Sequence, residues 1–323
     1  MRSGEIEFYD PINKPDATRF AYYYDKIVKV EIDPSMQDAP LTSMHNMFYG
    51  GNSDLQLTSL TTIEGLVNLN TALVTDMSFM FCGCEKLTEL FLNSFETKNV
   101  TNMESMFDMC RALKTIDVSS FFNTEKVTNM KAMFAECNAL EDEGCPTTNF
   151  NIKNVNNMSF MFLNCKTLKT INLSNFNTEK VTKMKGLFLG CQSLTSLDLH
   201  KFNVAKVENM EYMFMNCKSL TTIYCNEDWN STAVALTSST DMFKGCSELK
   251  GGKGTAYDEN KLDINYARPD LEGQLGYFTF KTSGIENVDA SSKRDMATKL
   301  IRNGQLLIIH NGKTYNVIGN IVK

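Results

Sequence analysis

Ten cysteines and nineteen methionines are the side chains of this 323-residue chain best equipped for chemistry, as nucleophiles, redox groups or soft-metal ligands. Three histidines, His45, His200 and His310, stand too far apart in sequence to read as a zinc set or a catalytic triad. What the sulfur does is decided by its spacing. Cys84, Cys110, Cys137, Cys165, Cys191, Cys217 and Cys246 each follow a Phe by three residues; in the first copy that place is Gly51. Cys145 and Cys225 lie eight residues after such a Cys, where other copies carry Leu92, Val118, Leu173 and Leu199. These nine read as small buried hydrophobes. Zinc would call for C-x-x-C pairs with His, and equivalent Cys on stacked repeats point the same way, which suits disulfides badly. Cys82 alone is off register, which makes it the candidate for an exposed reactive thiol. The pairs Met77/Met80, Met103/Met106, Met130/Met133, Met158/Met161 and Met210/Met213 read as core. Leu187 replaces one of these Met in its copy, which packing tolerates and metal ligation does not. No metal, cofactor or catalytic residue is expected. The enzymatic alternative rests on paired carboxylates such as Asp117 and Asp142 acting on glycans.

The elements that position these residues follow from a repeat. The Phe of each "MF" or "LF" pair falls at Phe48, Phe81, Phe107, Phe134, Phe162, Phe188, Phe214 and Phe243, with gaps of 33, 26, 27, 28, 26, 26 and 29. A period near 26 over eight copies indicates a solenoid. Within one copy, Thr101 is placed to cap a helix through its hydroxyl. Met103, Met106, Phe107 and Cys110, at i, i+3, i+4 and i+7, predict one face of a two-turn helix. Leu113, Ile116 and Val118 predict a short strand, and "F-N-T" a turn. One copy cannot offset the entropy of ordering itself, so neighbours must stack. Eight strands about 4.8 Å apart predict a sheet about 38 Å long. Asn70, Asn123, Asn151, Asn177 and Asn203 recur where turns need backbone groups satisfied.

The repeats, from Met44 to about Leu249, resemble the BspA-like leucine-rich repeats of bacterial surface proteins, marked by "NMxxMFxxC". The resemblance implies an α/β leucine-rich-repeat solenoid of about eight repeats, each a short strand plus a short helix, working by protein contact outside the cell. The expected organisation is an N-terminal cap over 1–40, repeats over 41–250, a closing cap over 251–282 that includes "GQLGYFTF", a linker over 283–295 and a β tail over 296–323. "NALEDEGCPTTNF" and "NEDWNSTAVALTSSTDM" depart from the pattern, the first with a bulge or loop, the second with Trp229 in the Phe place. Asn303-Gly304 and Asn311-Gly312 predict hairpins, and Gly319-Asn320 a third turn, giving a small β-meander. That tail resembles C-terminal sorting or anchoring tails of the type IX kind. Residues 1–40 lack the charged-then-apolar order of a signal peptide, so on this reading the chain is either a trimmed exported form or a cytosolic protein.

Composition narrows the partners. The net charge of −6 argues against nucleic acid, and no 18-residue apolar run predicts a membrane span. The outward strand residues are the expected binding face: Glu89, Phe91 and Asn93; Thr115, Asp117 and Ser119; Thr170, Asn172 and Ser174; Ser196, Asp198 and His200; Thr222, Tyr224 and Asn226. Phe91 and Tyr224 stand out as aromatic anchors. A second row, Lys98, Lys126, Lys153, Lys180 and Lys206, lies in the turns and reads as a solvated edge. The expectation is a non-enzymatic cell-surface or secreted adhesion protein that binds host or matrix proteins, or glycans; the alternative is an intracellular repeat scaffold or regulator of protein contacts.

Overall fold

The computed structural model describes residues 26–50, 57–281, 298–302, 305–310 and 313–316. The chain divides into two compact units, residues 1–281 and 282–323. The first is a parallel β-solenoid. Its most continuous feature is a column of single parallel bridges through Ser43, Asp76, Asn102, Asn129, Asn157, Lys183, Asn209 and Ser238.

The strands are short. β1 (Lys29–Glu31) pairs in parallel with β2 (Thr62–Glu64), and β3 (Glu89–Phe91) with β4 (Thr115–Asp117). β5 (Ser196–Asp198), β6 (Thr222–Cys225) and β7 (Phe278–Phe280) form a third parallel group. The expected single sheet is therefore split. After β4 the departure "EDEGCP" intervenes: Ile116 donates to Gly144 O at 3.0 Å, and the Asp142 carboxylate accepts from Lys169 N, Thr170 N and Thr170 Oγ1 at 2.8, 3.0 and 2.8 Å. That side chain takes the backbone donors a neighbouring strand would otherwise hold, so Thr170 and Asn172 lie outside any strand.

The expected helix in each repeat is absent, and the backbone explains why. Positive φ recurs two residues before and two after the ladder Phe, as at Phe79 (56°) and Gly83 (79°), Ser105 (50°) and Met109 (59°), or Tyr212 (58°) and Asn216 (61°). Two left-handed residues per copy forbid an α-helix. They turn alternate N–H groups along the solenoid axis. Met77, Phe79, Phe81 and Gly83 donate to Asn102, Glu104, Met106 and Asp108 of the next rung at 3.0, 2.8, 2.9 and 2.7 Å. The residues between them, such as Cys82 and Cys84, donate three residues back within the rung. The apolar spacing still points Met103, Met106, Phe107 and Cys110 inward, all fully buried. Thr101 caps nothing: its hydroxyl donates to Thr75 O, and Asn102 Oδ1 accepts Glu104 N. Among the described residues the α-helix is α1 (Trp229–Thr232), capped by Asp228, whose carboxylate accepts Asn230 N.

The core is one column of like on like. Phe48, Phe81, Phe107, Phe134, Phe162, Phe188, Phe214 and Phe243 stack with ring centroids 5.3–5.9 Å apart. Tyr277 and Phe278 end that stack edge-on against Phe243. Trp229, completely buried, lies over Phe202 at 6.3 Å in the second aromatic position of the repeat. The "F-N-T" threonines are buried rivets: Thr124 Oγ1 donates to Asn151 O at 2.9 Å and accepts Asn151 N at 2.7 Å, and Thr178 does the same with Asn203.

In the second unit, β8 (Thr298–Arg302), β9 (Gln305–His310) and β10 (Lys313–Asn316) form an antiparallel sheet in the order β8-β9-β10. Arg302 faces Gln305 and His310 faces Lys313. The turns read at Asn303-Gly304, Asn311-Gly312 and Gly319-Asn320, and the whole linker read over 283–295, lie outside the described residues.

Candidate functional site

The sulfur groups are consumed by packing. All ten cysteines are free and buried. Each ladder thiol donates to the carbonyl of the ladder Phe one rung before: Cys84 to Phe48 at 2.9 Å, Cys110 to Phe81, Cys137 to Phe107, Cys165 to Phe134 and Cys191 to Phe162 at 3.1 Å, Cys217 to Phe188 at 3.0 Å and Cys246 to Phe214 at 2.9 Å. Cys82, read as the exposed thiol, is 5% exposed; burial and then the nearby Asp108 push its pKa up to about 12. It lies one residue after the ladder Phe, close to Asp108 at the same place on the next rung. Burial, and after it the Glu136 carboxylate, push Asp108 up to about 6 against the hydrogen bond from Ser105. Among the described residues no three His, Cys, Asp or Glu converge as a metal set.

The outward residues of the strands are where side chains remain available. On β3 and β4, Leu90 and Ile116 face the core while Glu89, Phe91 and Asp117 are exposed and Thr115 is half-buried. Phe91 lies opposite Asp117, and Asn93 Nδ2 donates to Asp117 Oδ2 at 2.8 Å. Ser119 Oγ donates to Asn93 O, tying the same two rungs. Asp117 and Asp142, the carboxylates of the enzymatic alternative, thus take different partners.

Farther along, Ser196, Asp198, Thr222 and Tyr224 are half-buried. Asp198 is enclosed by His200, at 2.6 Å, and by Lys281. Burial pushes the Asp198 carboxyl up, but the bonds from Lys281 and His200 outweigh it and hold it below the ordinary range. Lys281 Nζ also lies 5.8 Å from the Tyr224 ring centroid, so the second aromatic anchor carries a cation of its own chain. Asn172 accepts Ser174 N, and Thr170 is held by Asp142.

A depression of about 490 Å³ opens beside β3, lined by Ile63, Leu66, Val67, Glu89, Phe91 and Asn93 among others. It lies where strand pairing stops: no ladder joins β2 to β3. Just past β2, Gly65 at φ 76° turns the chain into a single 3-10 turn, Leu66–Asn68, and a Cβ there would meet Ile32 O at 2.3 Å. Val67 and Phe91 are 64% and 58% exposed. The sequence flagged Phe91 through strand alternation. It did not flag Val67, which belongs to a turn rather than a strand; the signal available was Gly65 interrupting an apolar run.

The turn rows are structural. Asn70, Asn123, Asn151, Asn177 and Asn203 each accept the backbone N–H two residues on. Lys98 pairs with Glu96 and Lys153 with Glu125, while Lys126 and Lys180 donate to Asn99 and Asn154. Among the described residues no helix is long and apolar enough to cross a membrane.

Comparison with curated proteins and with solved structures gives no match. A family profile, described as "Mycoplasma protein of unknown function, DUF285", matches twice in succession, over residues 42–148 and 143–255. The two matches span the stacked rungs and more than half of the sequence, so the chain belongs to the DUF285 family.

Proposed function

We propose that this chain is a recognition protein that binds other proteins, of the host surface or extracellular matrix, through the outward face of its rungs, without catalysis. The observation that carries the reading is the division of labour between the faces. Thiols bridge successive rungs, thioethers are buried and turn amides are spent within their own turns, whereas Glu89, Phe91 and Asp117 stand exposed on adjacent rungs without an ion pair among the described residues. Exposed aromatics beside polar groups make effective anchors in protein interfaces. A rigid stack repeats such contacts at fixed spacing, which suits multivalent attachment.

The "NMxxMFxxC" pattern supports placing the solenoid with the BspA-like leucine-rich repeats, whose members act outside the cell. The tail after residue 296 is then a β-meander that directs sorting or anchoring. Cell fractionation of the host with and without residues 296–323 tests this second part: loss of surface material on truncation supports it, and unchanged surface material overturns it. For the binding itself, the folded complete chain is tested against purified matrix proteins and a host glycan array. Saturable capture that weakens in Asp117→Lys but not in Lys126→Ala supports the reading. Uniform absence of binding removes it.

A further inference from the structure

We infer that the depression between β2 and β3 is a docking site for a peptide segment that presents an aliphatic side chain next to Lys or Arg. This rests on reading the outward face as a protein-binding surface, and it names the chemistry of the partner.

Three observations converge. The depression holds about 490 Å³, the scale of a pocket that encloses a few side chains. Its walls include apolar side chains left open among the described residues: Val67 is 64% and Phe91 58% exposed. Exposed apolar side chains gathered on one concavity, rather than scattered singly, are what marks an interaction site. The charged residues that line the depression or pair with Phe91 are carboxylates. Glu89 lines the depression and Asp117 sits opposite Phe91 one rung on, and neither is in an ion pair among the described residues. Asn93 donates to Asp117 Oδ2, a contact that brings no cation to the carboxylate. On the neighbouring rungs Lys29 is taken by Glu64 at 2.7 Å, and Lys86 donates to Ser59. A cation placed over the exposed Phe91 ring would meet the ring face and two carboxylates together. An aliphatic neighbour would fill the space against Val67 and Ile63. An acidic or purely polar segment would gain neither contact.

The site also has a reason to stay open. Gly65 cannot carry a side chain without striking Ile32 O, and its left-handed φ commits the chain to the 3-10 turn that separates β2 from β3. The shape is thus fixed by backbone and does not depend on a partner to form it.

The test is fluorescence anisotropy of the complete chain with three labelled peptides: alternating Leu and Lys, alternating Leu and Glu, and alternating Ser and Lys. The Leu-Lys peptide is expected to bind with a micromolar Kd, at least about tenfold tighter than either of the others. Phe91→Ser and Val67→Ser are each expected to weaken it about tenfold, and Glu89→Lys at least as much, whereas Lys126→Ala, in the turn row, leaves it unchanged. All four positions are on the surface, and thermal melts verify folding. Equal binding of the Leu-Glu peptide, indifference to Phe91→Ser and Val67→Ser together, or absence of saturable binding overturns the inference. If matrix-protein capture then still falls in Asp117→Lys, the outward-face reading survives without this site; if it does not, both fall.

Discussion

The ladder thiols behave as buried hydrogen-bond donors. Burial pushes Cys145, Cys191 and Cys246 up to about 12 from the ordinary 9.0. The unfolded chain then releases protons above pH 9 that the folded chain retains, so the folded state binds more protons there and stability falls as pH rises. Full stability is expected below pH 9, with loss between pH 9 and about 12 at roughly 1.4 kcal/mol per pH unit for each such thiol. Urea midpoints measured from pH 7 upward check this; a flat profile would mean the thiols ionise freely in the fold. Thr124→Val is expected to cost about 2–3 kcal/mol, because it leaves Asn151 N and O without their buried partner. Thr101→Val, at an exposed position of the same rung column, is expected to cost under about 1 kcal/mol in the same denaturation series.

Legibility in the sequence was uneven at the level of the element. Residue types and spacing placed the inward set correctly, because any backbone that brings Met103, Met106, Phe107 and Cys110 to one side satisfies the pattern. They did not distinguish a helix from a turn with left-handed residues at fixed places. The distinguishing signal sat immediately before the ladder Cys: Gly83, Asn164, Gly190, Asn216 and Gly245 are the residue types that best accept positive φ. Met109 occupies that place at φ 59° and is half-buried. Met109→Gly is therefore expected to stabilise the protein by up to about 1 kcal/mol, where a helical backbone would lose about 1 kcal/mol. The sheet was overestimated for a related reason, since strand spacing does not reveal that Asp142 captures the donors of the next strand. Gly144→Ala there places a Cβ 2.0 Å from Lys114 O, and a loss of more than about 2 kcal/mol is expected in thermal melts. The outward row was legible where alternation holds, at Glu89, Phe91, Thr115 and Asp117. It was not legible at Tyr224, because Lys281 comes from far along the chain.

For the whole molecule, like side chains on like make each rung the support of the next, so the solenoid unit should unfold as one body. Phe134→Ala, in the middle of the aromatic stack, is expected to cost about 3–5 kcal/mol. Trp229, the single tryptophan, reports from far along the rungs. Its fluorescence and the far-ultraviolet circular dichroism should shift to the same lowered midpoint; separate transitions would show independent rungs. The most direct test of the account is alkylation of the native chain by iodoacetamide at pH 8, read by mass spectrometry residue by residue. All ten cysteines should remain unmodified while the chain is folded and react once it is denatured. Rapid labelling of the ladder cysteines in the folded chain would contradict the claim that the repeated sulfur is interior packing and that binding belongs to the outward face.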